Sequence, residues 1–159
     1  MINTYGTLHK GNGRFALRFE RSFTLPREEV FQAITNPSIF SQWYPFATGE
    51  MDLRTGGRIF FDDGEGSTYE GIIIDFNSPH TFAFREVEDL VQISLQDENE
   101  GCTMVFTHTF DEGDMVVSVA AGWHRCLDVL HQLVYKQPVE WKENRAELRE
   151  YYREVFHLN

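Results

Sequence analysis

The sequence predicts an α+β fold in which a curved antiparallel sheet of about seven strands wraps around a long C-terminal helix, with two short helices after the first strand. Three patterns predict this arrangement. Short alternating segments joined by tight turns run from Met51 to Phe110 and are typical of an antiparallel meander. Apolar residues at helical spacing follow, from Asp114 to about Gln137. Two proline-initiated segments precede the meander, so the helices are expected to cover one face of the sheet.

The first strand and the two short helices come before the meander. Residues 14–25 alternate between apolar and polar side chains, as a half-buried strand does. Pro26 then suits the first turn of a helix, where its missing N–H costs no hydrogen bond. Asn36-Pro37 ends that helix and begins a second, which Pro45 stops. The apolar residues of these helices are expected to face the core: Val30, Phe31, Ile34, Ile39, Phe40, Trp43 and Tyr44.

The remaining strands are separated by turns rich in glycine, asparagine and aspartate, such as Gly56-Gly57. The predicted strands are 51–53, 58–62, 68–76, 81–86, 90–96 and 102–110. Near the N terminus, Gly11-Asn12-Gly13 is expected to form a turn and not a nucleotide-binding loop, because no dinucleotide fingerprint surrounds it.

The C-terminal part of the chain contains two helical patterns. The first has one apolar side: Val116, Val119, Trp123, Leu127, Leu130 and Val134. Pro138 interrupts the pattern, and a second amphipathic stretch runs from Trp141 to Phe156. We therefore expect residues 1–137 to form a ligand-binding domain of the fold above, and residues 138–159 to form a helical extension packed on the same domain.

Composition and charge exclude several classes of partner. The formal net charge is -11, with only 14 Lys and Arg, so nucleic acid and anionic membrane surfaces would be repelled. No stretch approaches the ~20 apolar residues of a membrane span, and the N terminus lacks the apolar segment of a secretory signal. We expect a cytoplasmic protein that binds neither nucleic acid nor membrane. Cys102 and Cys126 show no metal-ligand spacing and are expected to be small buried side chains.

Five segments carry a resemblance to a known family: Arg21–Pro26, Thr35-Asn36-Pro37 with Trp43, Asp52–Gly57, Gly71–Phe84, and His108 with Gly122-Trp123. In order and spacing they resemble the START-like, birch-pollen-allergen-like (SRPBCC) superfamily, and within it the branch homologous to the heat-shock-protein (Hsp) ATPase activator. The resemblance spans roughly residues 14–136. It implies a helix-grip fold with a cavity between the sheet and the long helix. Members include lipid and hormone binders, polyketide cyclases and chaperone activators, with no shared catalytic set to transfer to this chain.

Strand alternation predicts which side chains face that cavity. On the last strand, Met104, Phe106 and His108 share the face over which the long helix brings Trp123 and Leu127. The same parity applies to the other strands. The predicted ligand-binding set is mainly aromatic: Trp43, Tyr44, Phe61, Tyr69, Phe82, Phe84, Glu86, Met104, Phe106, His108, Trp123 and Leu127. Such a lining selects a small apolar ligand. The rings of Trp43, Tyr44 and Phe46 either line the entrance, where they would select a flat ligand, or pack the second helix.

Two polar residues of this set have alternative interpretations. His108 is either a core histidine whose nitrogens are satisfied by the long helix or by water, or a hydrogen-bonding handle for a ligand. Glu86 either faces inward, where burial would raise its pKa, or reaches solvent beside the acidic Glu88-Asp89 turn. In the inward case Glu86 and His108 would lie roughly 10 Å apart at one sheet edge.

No metal or cofactor is expected. His124, Asp128 and His131 share one stripe of the long helix, which we interpret as a solvated polar stripe. The other histidines share no ligand spacing with cysteine or carboxylates: His9, His80, His108 and His157. The sequence contains no nucleophile elbow and no phosphate loop.

Three function classes remain open. Binding of a small hydrophobic or aromatic ligand in an internal cavity, in stress response or small-molecule metabolism, ranks first because few polar groups face inward. A cyclase- or hydrolase-like enzyme using His108 or Glu86 ranks second, with its catalytic residues unassigned. A chaperone ATPase activator-like interaction domain ranks third. The sequence does not decide the ligand's identity, or whether the chain is a monomer or a homodimer.

Overall fold

The computed structural model describes residues 4–111, 113 and 115–156. Within these ranges lie eight strands and four helices. The strands are Thr7–Gly11 (β1), Arg14–Phe23 (β2), Ala47–Met51 (β3), Arg58–Asp62 (β4), Thr68–Asn77 (β5), Thr81–Glu86 (β6), Asp89–Glu98 (β7) and Gly101–Asp111 (β8). The helices are Arg27–Thr35 (α1), Pro37–Trp43 (α2), Val116–Val134 (α3) and Arg145–Val155 (α4).

The described strands form one antiparallel sheet in the order β1-β2-β8-β7-β6-β5-β4-β3, as the predicted helix-grip fold requires. The strands from β3 to β8 pair as consecutive hairpins, while β2 pairs with β8. The β2–β8 register places Leu17 opposite His108 and Phe19 opposite Phe106. A slip by one residue would turn this buried set outward, so burial fixes the register.

The long helix α3 packs against the apolar face of the sheet. The ring of Trp123 lies 4.9 Å from that of Phe106, and Leu127 and Leu130 are fully buried. Each such side chain contributes about 1.5–3 kcal/mol on burial. Helices α1 and α2 join the same core. Asn36 separates them and caps α2, because its Oδ1 accepts hydrogen bonds from two backbone N–H groups of the first turn, at 2.9 and 3.2 Å.

The described sheet has one strand beyond the expected seven or so. This strand, β1, pairs with β2 through the predicted turn at Gly11–Gly13. Asn12 and Gly13 have φ of 52° and 75°, as a two-residue hairpin turn with two left-handed positions requires. The strand lies at the sheet edge with nearly all its side chains exposed. No buried face imposes alternation there, so the sequence pattern does not show it.

The strand predicted at 51–53 lies earlier in the structure. It is β3, which ends at Met51 where the prediction began. Phe46 has a φ of 66° and turns the chain, so that Ala47 already pairs with Phe61 of β4. The tight turn at Phe46 has no glycine to mark it, which explains the shift.

Both C-terminal helices are shorter than predicted. Helix α3 ends at Val134, before Gln137, because Lys136 adopts a φ of 57° that a right-handed helix cannot contain. The predicted start of this helix, Asp114, lies outside the described residues. Helix α4 begins four residues after the predicted Trp141.

Helix α4 packs on α3 and on the N-terminal segment. The hydroxyl of fully buried Tyr152 accepts a hydrogen bond from the Gly6 N–H at 2.9 Å and contacts Nδ1 of His124 at 2.9 Å. Asp128 pairs with the buried Arg21 at 2.8 Å. The expectation of a solvated stripe is therefore wrong for His124, which contacts α4 and β2 and is buried, while Asp128 is half-buried and His131 is exposed. Burial lowers the pKa of His124 to about 4.

Across the described ranges, no helix combines the length and apolarity needed to cross a membrane. Among the same residues, no three His, Cys, Asp or Glu side chains converge as a metal site. His157 lies outside the described residues. Cys102 and Cys126 are both free and buried.

Candidate functional site

An open pocket of about 280 Å³ lies where one end of the sheet meets the first half of α3. Its aromatic walls come from four residues: Tyr44, Phe46, Tyr69 and Trp123. Its polar groups come from the β6–β7 hairpin and from β8: Glu86, Asp89 and His108. The pocket therefore combines ring surfaces with a few convergent polar atoms, the usual composition of a small-molecule site.

Glu86 is held by two phenols. The hydroxyl of Tyr44 donates to one carboxylate oxygen at 2.5 Å, and the hydroxyl of Tyr69 donates to the other at 2.9 Å. Tyr44 follows α2 in an extended conformation that Pro45 favours, which turns its ring back toward the sheet. Glu86 is the last residue of β6. It faces inward in this arrangement, so the interpretation that it simply reaches solvent is wrong.

Burial is the largest influence on the pKa values of Glu86, Tyr44 and Tyr69. It raises the pKa of Glu86, and the two phenol hydrogen bonds act in the opposite direction by stabilising the carboxylate. Burial and the adjacent Glu86 also raise the pKa values of Tyr44 and Tyr69 well above those of free phenols. Both tyrosines therefore remain hydrogen-bond donors at neutral pH.

His108 lies between a donor and an acceptor. The indole N–H of Trp123 donates to its Nδ1 at 2.9 Å, and its Nε2 lies 3.0 Å from Oδ2 of Asp89. Indole nitrogen can only donate, so Nδ1 carries no proton and Nε2–H donates to Asp89. The imidazole is buried and stacks on Phe110 with ring centroids 4.8 Å apart. The long helix thus supplies the hydrogen bond to Nδ1 of His108, as the interpretation of His108 as a core histidine predicted.

The β6–β7 hairpin positions the two carboxylates. Glu86 and Asp89 are directly opposite each other in the register, on either side of a two-residue turn. Val87, the first turn residue, has a φ of 56°, a conformation that β-branched residues rarely adopt. Opposite residues of an antiparallel pair share a face of the sheet. The hairpin therefore sends both acidic side chains to the pocket.

The structure divides the twelve predicted ligand-binding residues into two groups. Five line the pocket: Tyr44, Tyr69, Glu86, His108 and Trp123. The other seven belong to the packed core: Trp43, Phe61, Phe82, Phe84, Met104, Phe106 and Leu127. The expectation of one internal cavity lined by all twelve differs from what is observed, because these side chains contact one another and fill that space.

Sequence reasoning missed several residues of the pocket: Pro45, Asp89, Val119, Gly122 and Cys126. Asp89 was detectable, since Glu86-Val87-Glu88-Asp89 reads as a tight turn whose ends face each other. Phe46 belongs to the candidate entrance cluster with Trp43 and Tyr44, and it lines the pocket while 53% exposed. The residues of α3 follow from the helical face that contains Trp123.

Two larger surface clefts have a different character. One of about 500 Å³ lies between β2, α3 and the segment before α4, where Arg21 is paired with Asp128. Another, of about 690 Å³, lies along β3, β4 and β5 and includes Glu50, Asp62 and Glu70. The described lining of the first contains no Phe, Tyr or Trp. The second includes Phe60, Phe61 and Tyr69 but has no counterpart, among its described residues, of the hydrogen-bonded Glu86 and His108, so the smaller pocket is the better candidate site.

Comparison with known families gives one match that covers most of the chain. The family model described as "Activator of Hsp90 ATPase homolog 1-like protein" matches residues 24–135. This interval contains the whole pocket and stops before α4. No curated protein matches the sequence.

Comparison with solved structures shows the same fold in bacterial proteins. A conserved protein of unknown function from Enterococcus faecalis has a TM-score of 0.82 at 17% identity, covering 96% of this chain and 90% of its own. CalU16 from Micromonospora echinospora has a TM-score of 0.70 at 20% identity, with coverages of 96% and 92%. An uncharacterised protein from Rhizobium leguminosarum has a TM-score of 0.62 at 22% identity, with coverages of 84% and 100%. At these identities the likeness shows the fold alone.

Proposed function

This chain belongs to the Activator of Hsp90 ATPase homolog 1-like family, and from that premise we propose that it binds a small ligand with an aromatic or alkyl body in the pocket at the mouth of the helix grip. The family and its fold are compatible both with ligand binding and with a chaperone-activator-like role. The observation that carries the proposal is the combination of four ring faces with a prearranged Glu86 and His108 in one concave site.

The volume sets the size of the ligand. About 280 Å³ lies just below the ~300–1,000 Å³ of ordinary ligand pockets, so the site accommodates a compact molecule and not a long lipid chain. Since Phe46 is half exposed at the rim, the ligand's far end would remain in contact with water.

Three of the seven core residues, Phe61, Phe84 and Phe106, support this site from behind. Phe61 stacks on Tyr69 at 5.0 Å, Phe84 contacts Tyr44 at 5.3 Å, and Phe106 contacts Trp123 at 4.9 Å, all between ring centroids. Three of the four pocket rings, those of Tyr44, Tyr69 and Trp123, therefore rest on a buried ring. Such preorganisation lowers the entropic cost of binding.

The hydrogen bonds of His108 favour binding over acid–base catalysis by this residue. Nδ1 is occupied by Trp123, and the Nε2 proton is directed at Asp89. Neither nitrogen has a lone pair free to accept a proton from a substrate. His108 instead fixes the orientation of the indole that forms one wall.

Two-dimensional ¹H–¹⁵N NMR of the tryptophan indole N–H groups tests the proposal. The chain has only 3 tryptophans, so each gives a resonance that can be followed separately. Trp123 lines the pocket and Trp43 lies in the core, while Trp141 is 46% exposed in the segment before α4. We expect millimolar 2-phenylethanol or 2-phenylethylamine to shift the Trp123 N–H resonance saturably and leave that of Trp141 in place. The proposal fails if neither compound moves Trp123, or if Trp141 moves equally.

A further inference from the structure

We propose that the ligand of this pocket is a cation, a protonated or quaternary amine attached to a small aromatic or alkyl body. This inference rests on the proposed function and names the chemical class that the site selects. Three features of the pocket support it: its charges, the hairpin register that brings the two carboxylates together, and its rings.

The charges that line the pocket are all negative. Glu86 and Asp89 contribute two carboxylates, and no Lys or Arg is among the described residues of the lining. The nearby Arg14 is bound to Asp111 at 2.6 Å and directs its other nitrogen at the backbone carbonyls of Glu88 and Thr109. Its charge is therefore already paired outside the site.

The register brings these two carboxylates into direct opposition. Glu86 and Asp89 are partners across the hairpin, and like charges at such positions destabilise a sheet. The Tyr44 and Tyr69 hydroxyls and the His108 N–H offset part of this repulsion with neutral donors. A carboxylate oxygen accepts two hydrogen bonds, so one phenol on each oxygen of Glu86 leaves capacity for an ammonium group.

The rings suit the same ligand. The faces of tryptophan and tyrosine attract cations, most strongly where water is excluded. Tyr44 and Trp123 meet with ring centroids 5.2 Å apart at an interplanar angle of 49°, and Tyr69 lies on the other side of Glu86. The rings would contact the ligand body while the carboxylates pair with its charge. A net charge of -11 further raises the local concentration of cations.

A matched set of probes tests the inference on the wild-type protein. We would measure dissociation constants of 2-phenylethylamine, its neutral analogue 2-phenylethanol and the anion 3-phenylpropanoate from the Trp123 N–H shift. We expect the amine to bind about tenfold more tightly than the alcohol, and the anion to bind most weakly. Equal binding of amine and alcohol would overturn the cation inference and leave the proposed function standing. No shift with any probe would overturn both.

Two variants with the same change of charge locate the effect. Glu86→Gln is expected to reduce the preference for amine over alcohol roughly tenfold. Glu88→Gln, on an exposed residue of the adjacent turn, is the control and should keep that preference within about twofold, since only bulk charge changes. An equal loss in both variants would show that the preference is a general effect of net charge and would contradict the assignment to Glu86.

Discussion

Trp123 donates its indole N–H to Nδ1 of His108 at 2.9 Å, and this bond joins the long helix to the last strand of the sheet. The same bond decides the tautomer of the imidazole, because it leaves the proton on Nε2 facing Asp89. A single contact thus orients an aromatic wall and an acidic group of the pocket together.

Replacing Trp123 with phenylalanine should destabilise the fold by about 2–4 kcal/mol, since it removes buried ring volume and leaves the buried His108 Nδ1 without a donor. Urea denaturation would measure the free energy of unfolding. Trp141→Phe is the matched control and should change it by no more than about 0.5 kcal/mol, because this tryptophan is half exposed. A similar cost in both variants would contradict the role assigned to the Trp123–His108 bond.

Stability should fall as the pH is lowered below neutrality because of His124. Burial lowers its pKa from 6.5 to about 4 in the folded protein, partly offset by Asp128. As the pH falls through 6.5, the unfolded chain takes up a proton that the folded protein does not bind until about pH 4. The free energy of unfolding should therefore fall by up to about 1.4 kcal/mol per pH unit across this window from this residue.

His124→Gln should reduce that pH dependence, measured as denaturation curves across the window between the two pKa values. The neighbouring His131, whose pKa is also lowered by burial, contributes in the same direction and persists in the variant. His9→Gln, on the exposed edge strand β1, is expected to keep the wild-type slope. If His124→Gln had the wild-type slope as well, the buried neutral state of His124 would be disproved.

Truncation of Phe106 distinguishes a filled interior from a hollow one. In the packed core we expect Phe106→Ala to cost about 3–5 kcal/mol, through lost burial and the cavity left behind. Ile72→Ala, at an outward position 47% exposed, should cost no more than about 1 kcal/mol. A cost below about 1 kcal/mol for Phe106 would instead indicate a large internal cavity, as the sequence alone had suggested.

Most of the fold could be predicted from periodicity. Burial of one face imposes the alternation in β2 and β8 and the helical spacing of α3. The order of apolar residues in the sequence therefore reveals these elements, and the meander turns lie between them. Edge strand β1 was not predicted because neither of its faces is buried against the core. The turn at Phe46 was not predicted because no residue pattern indicates an aromatic residue in a left-handed conformation.

The sequence by itself determined the helix-grip architecture and the inward position of His108 and the aromatic residues around it, but it left open whether Glu86 faces inward or reaches solvent. Only the tertiary structure decided which of those residues meet a ligand-sized space and which fill the core. Strand parity assigns a side chain to a face, but the volume left between two faces depends on how rings from distant segments pack against one another. The pairing of Tyr44 with Glu86, across 42 residues of sequence, is decided at that level.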